Sequence, residues 1–359
     1  MAISTALAPS AVSRPAFAAK AGWLDTRGFD LMLVIGTAVL AMSAGAAVAF
    51  DSSLFKILLF ADLWLLGYHH VIATYARIAA EADGFRRHRA LITWVPVAVA
   101  LAVVALAFGI GAWTLPTIYL YWQWWHYTRQ SYGVGQLYRL KTGQTQRTLI
   151  ELKAVVFGLP LAGILYRSYQ APAKFLGMEL RVLPMPAEAV VVAAVGAAVV
   201  IAWWALRQLQ AWRAGELAPA YTLYLLTHLA VFGVGYFAFS DINHGWLVIN
   251  SWHNAQYLLI VSLFNSKRFG NEVNPAQRLM STLSLRRNRG FYFMTTFGVS
   301  TLAYLALTGG LSLVSASAIS LTLVAYQVIN FHHYIVDSLI WKVRRPQVRD
   351  NLGLAEQAA

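Results

Sequence analysis

The chain predicts an all-α fold: a polytopic transmembrane helical bundle of about ten spanning helices with both termini cytoplasmic. Three observations predict it. Apolar residues make up 58% of the sequence and charged ones only 12%, about half the charged share of a soluble domain. The charges fall in short clusters between apolar runs of roughly 20 residues, enough to cross a hydrocarbon core. Lys and Arg clusters also alternate from side to side in step with those runs.

In order, the runs cover 29–50, 53–79, 91–110, 113–136, 149–166, 187–206, 220–240, 243–264, 291–309 and 313–340. With the N-terminus inside, the inner side receives Arg14, Lys20 and Arg27 before the first span, then Arg77, Arg86, Arg87 and Arg89 after the second. Arg139, Lys141, Arg147 and Lys153 follow the fourth, Arg207 and Arg213 the sixth. Lys267, Arg268, Arg278, Arg286, Arg287 and Arg289 follow the eighth, and Lys342, Arg344, Arg345 and Arg349 the tenth. The outer side holds only Lys56, Arg167, Lys174 and Arg181, while Arg129 lies inside a span. Such an excess marks cytoplasmic loops.

The organisation that follows is a flexible N-terminal cytoplasmic tail over 1–28, a transmembrane helical domain over 29–341 and a basic cytoplasmic tail over 342–359. The first segment is rich in Ala, Ser and Pro and lacks the continuous apolar core of a secretory signal. The expected location is an integral one, in the bacterial inner (cytoplasmic) membrane. The net charge of +13 fits loops facing anionic lipid headgroups and implies no nucleic acid. With no cysteine, disulfides, thiolate metal sites, iron–sulfur clusters and Cys-ligated haem are excluded. No glycine-rich phosphate loop, nucleophile elbow or dinucleotide fingerprint occurs.

Histidine carries the chemical signal. Of nine, seven fall inside spans: His69, His70, His126, His228, His253, His332 and His333. His88, in a basic cytoplasmic loop, and His244, near the outer face at the very start of its span, are expected to face solvent. Counted from the span ends at about 1.5 Å per residue, the seven share the central-to-cytoplasmic layer of the bilayer. Ionisable groups at that depth are costly and usually functional, and one common site would require one common depth. His333 and Asp337 are four apart and share a helix face; Asp62 and His69, seven apart, do so as well. His126 has Arg129 and Gln130 one turn on, and His253 is flanked by Asn250, Gln256 and Tyr257. Adjacent side chains diverge by about 100° on a helix, so one His of each pair can face the centre while the other bonds a neighbouring helix.

The expected metal ligands are therefore His69, His70, His126, His253, His332, His333 and Asp337. His228, Asp62, Gln130, Asn250, Gln256 and Tyr257 are expected to surround them or to serve as alternates. Trp122, Trp125 and Tyr127, from the aromatic-rich fourth span, are expected to line a substrate tunnel. Imidazoles with carboxylate and no sulfur suit iron, copper or zinc. Asp337 could instead pair with Lys342, Arg344 and Arg345.

The segments Gly67-Tyr68-His69-His70, Trp125-His126 and Phe331-His332-His333-Tyr334 give the chain a class-level likeness. It resembles the histidine-rich integral-membrane di-iron oxygenases of the fatty-acid desaturase and hydroxylase type and, more loosely, the bacterial carotene dioxygenases. The HxxxH and HxxHH boxes of the desaturases do not occur. The resemblance implies a non-haem iron oxidoreductase with two irons that hydroxylates, desaturates or cleaves a lipid or isoprenoid. Its partners would be the lipid bilayer, a lipophilic small-molecule substrate and, unless both oxygen atoms enter the product, a cytoplasmic electron donor. Two alternatives stand beside it: a haem b or quinone-linked redox protein with His axial ligands, and a transporter with a His/Asp proton relay.

Overall fold

The computed structural model describes residues 22–79, 84–144, 146–312, 321–343, 345–352 and 354. Seven of its helices are long and apolar enough to cross a membrane. They are α1 (Arg27–Phe50), α2 (Ser52–Ile78), α3 (Arg89–Ile110), α5 (Gln146–Tyr169), α6 (Ala187–Arg213), α7 (Pro219–Ala238) and α9 (Arg286–Leu311). Three more have the length without the composition: α4 (Thr114–Lys141), α8 (Ile242–Arg268) and α10 (Leu321–Ile340). These three carry His126, His253 and the His332–His333 pair, so the polar groups that lower their hydropathy are those of the candidate site.

Burial explains the division. On α6 the side chains of Val191, Val192, Val195, Val199 and Leu206 are exposed, and on α3 those of Trp94, Val97, Leu101 and Phe108. Apolar surface on that scale would be untenable in water and suits contact with lipid. On α8, by contrast, every residue from Gly245 to Ser266 is buried. Helix α8 packs against α1, α2, α4 and α7, while α10 packs against α2, α3, α4 and α9. Polar helices lie inside and apolar ones outside, as lipid demands.

Local chemistry places the ends. Thr26 caps α1 by accepting from Phe29 N at 3.2 Å, and Asp241 caps α8 through Asn243 N at 2.7 Å. Ahead of α1, Leu24 N and Asp25 N donate to Asp30 at 2.8 and 3.0 Å, and Asp25 pairs with Arg286 and Arg289. Residues 22–26, within the stretch expected as a flexible tail, are thus tied to the bundle; 1–21 lie outside the described residues, as do 313–320 of the expected tenth span. A two-stranded hairpin, Lys174–Phe175 with Met178–Glu179, turns through Leu176 and Gly177 at φ 51° and 80°. Paired positive φ values of this kind close a tight hairpin, which seats the buried Phe175 against Tyr119 and Trp246.

Two local features set the geometry inside. At the crossing of α7 and α8 a side chain on Gly245 would run into the Gly235 carbonyl. The fully buried Arg167 donates to that carbonyl at 3.1 Å and to Ser240 O at 3.3 Å. The other feature is a five-residue π-helical turn, Leu63–Gly67, within α2. Such a turn inserts one extra residue and re-aims everything after it.

Candidate metal centre

Helix α2 brings His70 inward, α4 brings His126, and α10 brings His333 with Asp337 one turn on. The candidate ligand atoms of these four buried residues all lie within 4.8 Å of one another, a group that could hold a metal ion. His70 Nε2 and His333 Nε2 are 2.8 Å apart. His333 Nε2 and His126 Nε2 lie 3.6 and 4.0 Å from Asp337 Oδ2. An ion about 2.1 Å from each donor would set adjacent ligands roughly 3 Å apart, in this range. One orphan points the same way: His126 Nε2 is buried without a hydrogen-bond partner among the described residues. Buried polar atoms are normally satisfied, and a cation between the rings would satisfy His126.

A surrounding layer orients the ligands. Tyr257 OH donates to Asp337 Oδ1 at 2.8 Å and accepts from Trp341 Nε1 at 3.0 Å. Thr74 Oγ1 also donates to Asp337 Oδ1, at 3.2 Å, and lies 3.1 Å from His333 Nδ1. With the Thr74 proton on the carboxylate, His333 Nδ1–H donates to Thr74 and Nε2 keeps its lone pair for a metal. Asp337 Oδ1 is thus held by hydroxyls, and Oδ2 faces the imidazoles. Thr74 and Trp341 were not expected from sequence, although each sits four residues after a ligand.

The paired histidines divide. His69 turns to α9, where it hydrogen-bonds Thr296 and meets Phe293 and Phe297 edge-on or tilted. His332 uses both nitrogens elsewhere, Nδ1 with Tyr75 OH at 2.6 Å and Nε2 with Leu91 O at 2.7 Å. The π turn accounts for the α2 result. Asp62 and His69 would share a face on a regular helix, but with one residue inserted Asp62 and His70 share it. Both face α8: Asp62 accepts from Ser251 Oγ at 2.7 Å and from Asn250, and His70 lies 3.9 Å ring to ring from Tyr257.

His253 stands beside the four donors without joining them. Its ring centroid lies 4.8 and 4.9 Å from those of His70 and His126. Gln130 Nε2 donates to His253 O at 2.9 Å. Asn250 belongs to a second polar chain that runs from Asp62 through Asn250 and Tyr127 to Gln123, which accepts from Trp246 Nε1 at 2.7 Å. From within this chain Tyr127 packs on His253 at a tilt, 4.1 Å ring to ring, and it is not among the residues lining the main cavity. His228 lies apart, its ring against Phe232 and Trp252. The Gln256 amide is buried with neither atom hydrogen-bonded among the described residues. His88, expected to face solvent, is buried at 7% exposure, and His244 is half-buried against Phe55.

A cavity of about 240 Å³ opens on the cluster. His126, Tyr257, Tyr334 and Asp337 form its inner end, and Trp122 and Trp125 also line it. Leu137, Val348 and Leu352 line it further out. The arrangement can hold a cation in a buried, oriented donor set beside a largely apolar chamber.

If His69 and His332 are hydrogen-bonding residues of the frame, His69→Ala and His332→Ala should retain bound metal at the wild-type level. Each should lower stability by about 1–3 kcal/mol through the partners left behind. Metal analysis and thermal unfolding in detergent check both. No family model, curated protein or solved structure matches this chain.

Proposed function

We propose that the chain is an integral-membrane, non-haem iron oxygenase acting on a lipophilic substrate, with His70, His126, His333 and Asp337 holding the iron. The observation that carries the reading is the convergence of those four donors within 4.8 Å, two of which, His126 and Asp337, line the apolar cavity. Imidazole and carboxylate donors suit iron, which when bound would supply the activation of O2. A single carboxylate and one such donor group among the described residues suit one ion, where the resemblance implied two. Haem is disfavoured by the same closeness, because a porphyrin between two axial imidazoles would displace the other two donors.

In this reading α4, α8 and α10 also span, giving about ten crossings. Lys267 Nζ donates to Leu24 O at 2.5 Å and to Leu352 O at 3.2 Å, which brings the described ends of the chain to one side. The excess of Lys and Arg there supports a cytoplasmic placement of that side. A bacterial inner membrane suits such a protein. The chain's own residues bind and orient: Thr74 and Tyr257 fix Asp337, Trp341 holds Tyr257, and the aromatic walls exclude water. Hydroxylation or desaturation would take two electrons and two protons per O2 from a cytoplasmic donor. A cleaving dioxygenation places both oxygen atoms in product and needs none.

Purification in detergent, loading with ferrous iron without oxygen, and metal analysis with an absorption spectrum test the reading. About one iron per chain with no Soret band is expected. A Soret band would assign haem, and no retained metal would leave the polar centre to structure or transport.

A further inference from the structure

We propose that the cavity takes a lipid with an anionic head, bound by Arg129, so that the first few carbons beyond the head lie nearest the metal. The inference rests on the metal-centre reading above and adds the substrate's class and orientation.

Arg129 lines the cavity with His126, Gln130 and Ser338. It is three residues beyond His126 on α4, about 4.5 Å along the axis. Its side chain is exposed, and among the described residues no carboxylate pairs with it. Its one aromatic neighbour, Trp125, lies 6.0 Å from the guanidinium. The cytoplasmic end expected for this span, at 136, is seven residues on, or about 10 Å at the helical rise. A cation at that depth is costly without a counter-charge, and the carboxylate that lines the same chamber, Asp337, is held by Tyr257 and Thr74 and turned to the imidazoles and not paired with Arg129. Gln130 adds a second opening: its Nε2 donates to His253 O, while Oε1 is buried without a partner among the described residues and can accept from a hydroxyl or a water beside the head. The remaining wall past Arg129 is apolar, through Val134 and Leu137 to Val348 and Leu352. A charged head fits at Arg129 and a hydrocarbon tail beyond it. The head then sits within one helical turn of His126, which sets the reactive positions close to the head and far from the chain end. A carboxylate and a phosphate would both satisfy the guanidinium, so the chemistry points to a free long-chain acid or an anionic glycerolipid.

The test uses the full-length, iron-loaded protein in uncharged detergent. Binding of hexadecanoate, hexadecanol and dihexadecanoyl phosphatidate is measured for the wild type, Arg129→Gln and, as a control, Arg213→Gln. The wild type and Arg213→Gln should prefer one of the two anionic lipids over the alcohol by about ten-fold or more. Arg129→Gln should lose that preference with its alcohol binding and iron content unchanged. Preference for the hexadecanoate names a free acid as ligand, and preference for phosphatidate a glycerolipid. Equal binding of acid, phosphatidate and alcohol by the wild type, or a preference that survives Arg129→Gln, overturns the proposal. Stearates bearing a nitroxide near the carboxyl or at the methyl end give the orientation: bound metal should relax the carboxyl-end label faster, and the reverse order overturns it. Iron measured on the same samples separates the two failures, since absent iron sinks the metal reading while a missing anion preference with iron in place sinks this one.

Discussion

Replacing His333 with alanine is expected to cut metal affinity by more than about 100-fold, leaving well under a tenth of an equivalent bound after desalting. His333 Nε2 is 2.8 Å from His70 Nε2 and 3.6 Å from Asp337 Oδ2, so its loss removes the donor that touches two of the other three. Changes one layer out from a metal cost 10–100-fold, and a direct ligand should exceed them. Thr74→Val supplies the graded comparison. It removes the hydroxyl that fixes both Asp337 and His333 and should fall in the 10–100-fold range. Membrane insertion should be normal in both, as judged by yield and gel filtration. Metal content in His333→Ala equal to that of the wild type would remove α10 from the centre.

The second large effect is on stability. Gly245→Ala should destabilise the bundle by about 3 kcal/mol, at the upper end of what overpacking usually costs. The new methyl would meet the Gly235 carbonyl, which is backbone and cannot rotate away, and would also sit 2.9 Å from Arg167 Nη2. To relieve the clash α7 and α8 must part, and Arg167 then loses the acceptor that satisfies it. Gly196→Ala and Gly298→Ala are the controls, because nothing lies within 4 Å of an added Cβ at either. There the helix gains propensity, and the unfolding temperature should hold or rise. A Gly245→Ala protein as stable as these controls would show that the crossing is looser than its geometry.

Much of this architecture was legible in the residues, and the limits are physical. Seven helices follow from apolar length alone. The other three carried enough His, Asn, Gln and Tyr to fail on composition while marking where the chemistry lies. Helical spacing found His333 with Asp337, since that stretch of α10 is regular. It failed at Asp62 and His69 because a π turn between them shifts the face by one residue, and nothing in Leu63-Trp64-Leu65-Leu66-Gly67 announces such a turn. Nor could spacing choose within each His pair. That choice depends on what α9 and α3 offer from outside, namely Thr296 to His69 and Leu91 O to His332. Tyr127 was read as a wall of the chamber from its aromatic neighbours, yet its hydroxyl is drawn to Asn250 on the far side.

The complete enclosure of α8 bears on how the molecule is made. A helix carrying Asn250, Ser251, His253, Asn254 and Gln256 along one enclosed stretch partitions poorly into hydrocarbon by itself. On the ten-crossing topology it would leave the translocon into a cradle already built by α1, α2, α4 and α7, which are synthesised before it. Two of the four proposed metal donors, His333 and Asp337, would arrive only with α10, after the nine earlier crossings of that topology. The ion would therefore join only after α10 has docked, and its uptake would report that docking.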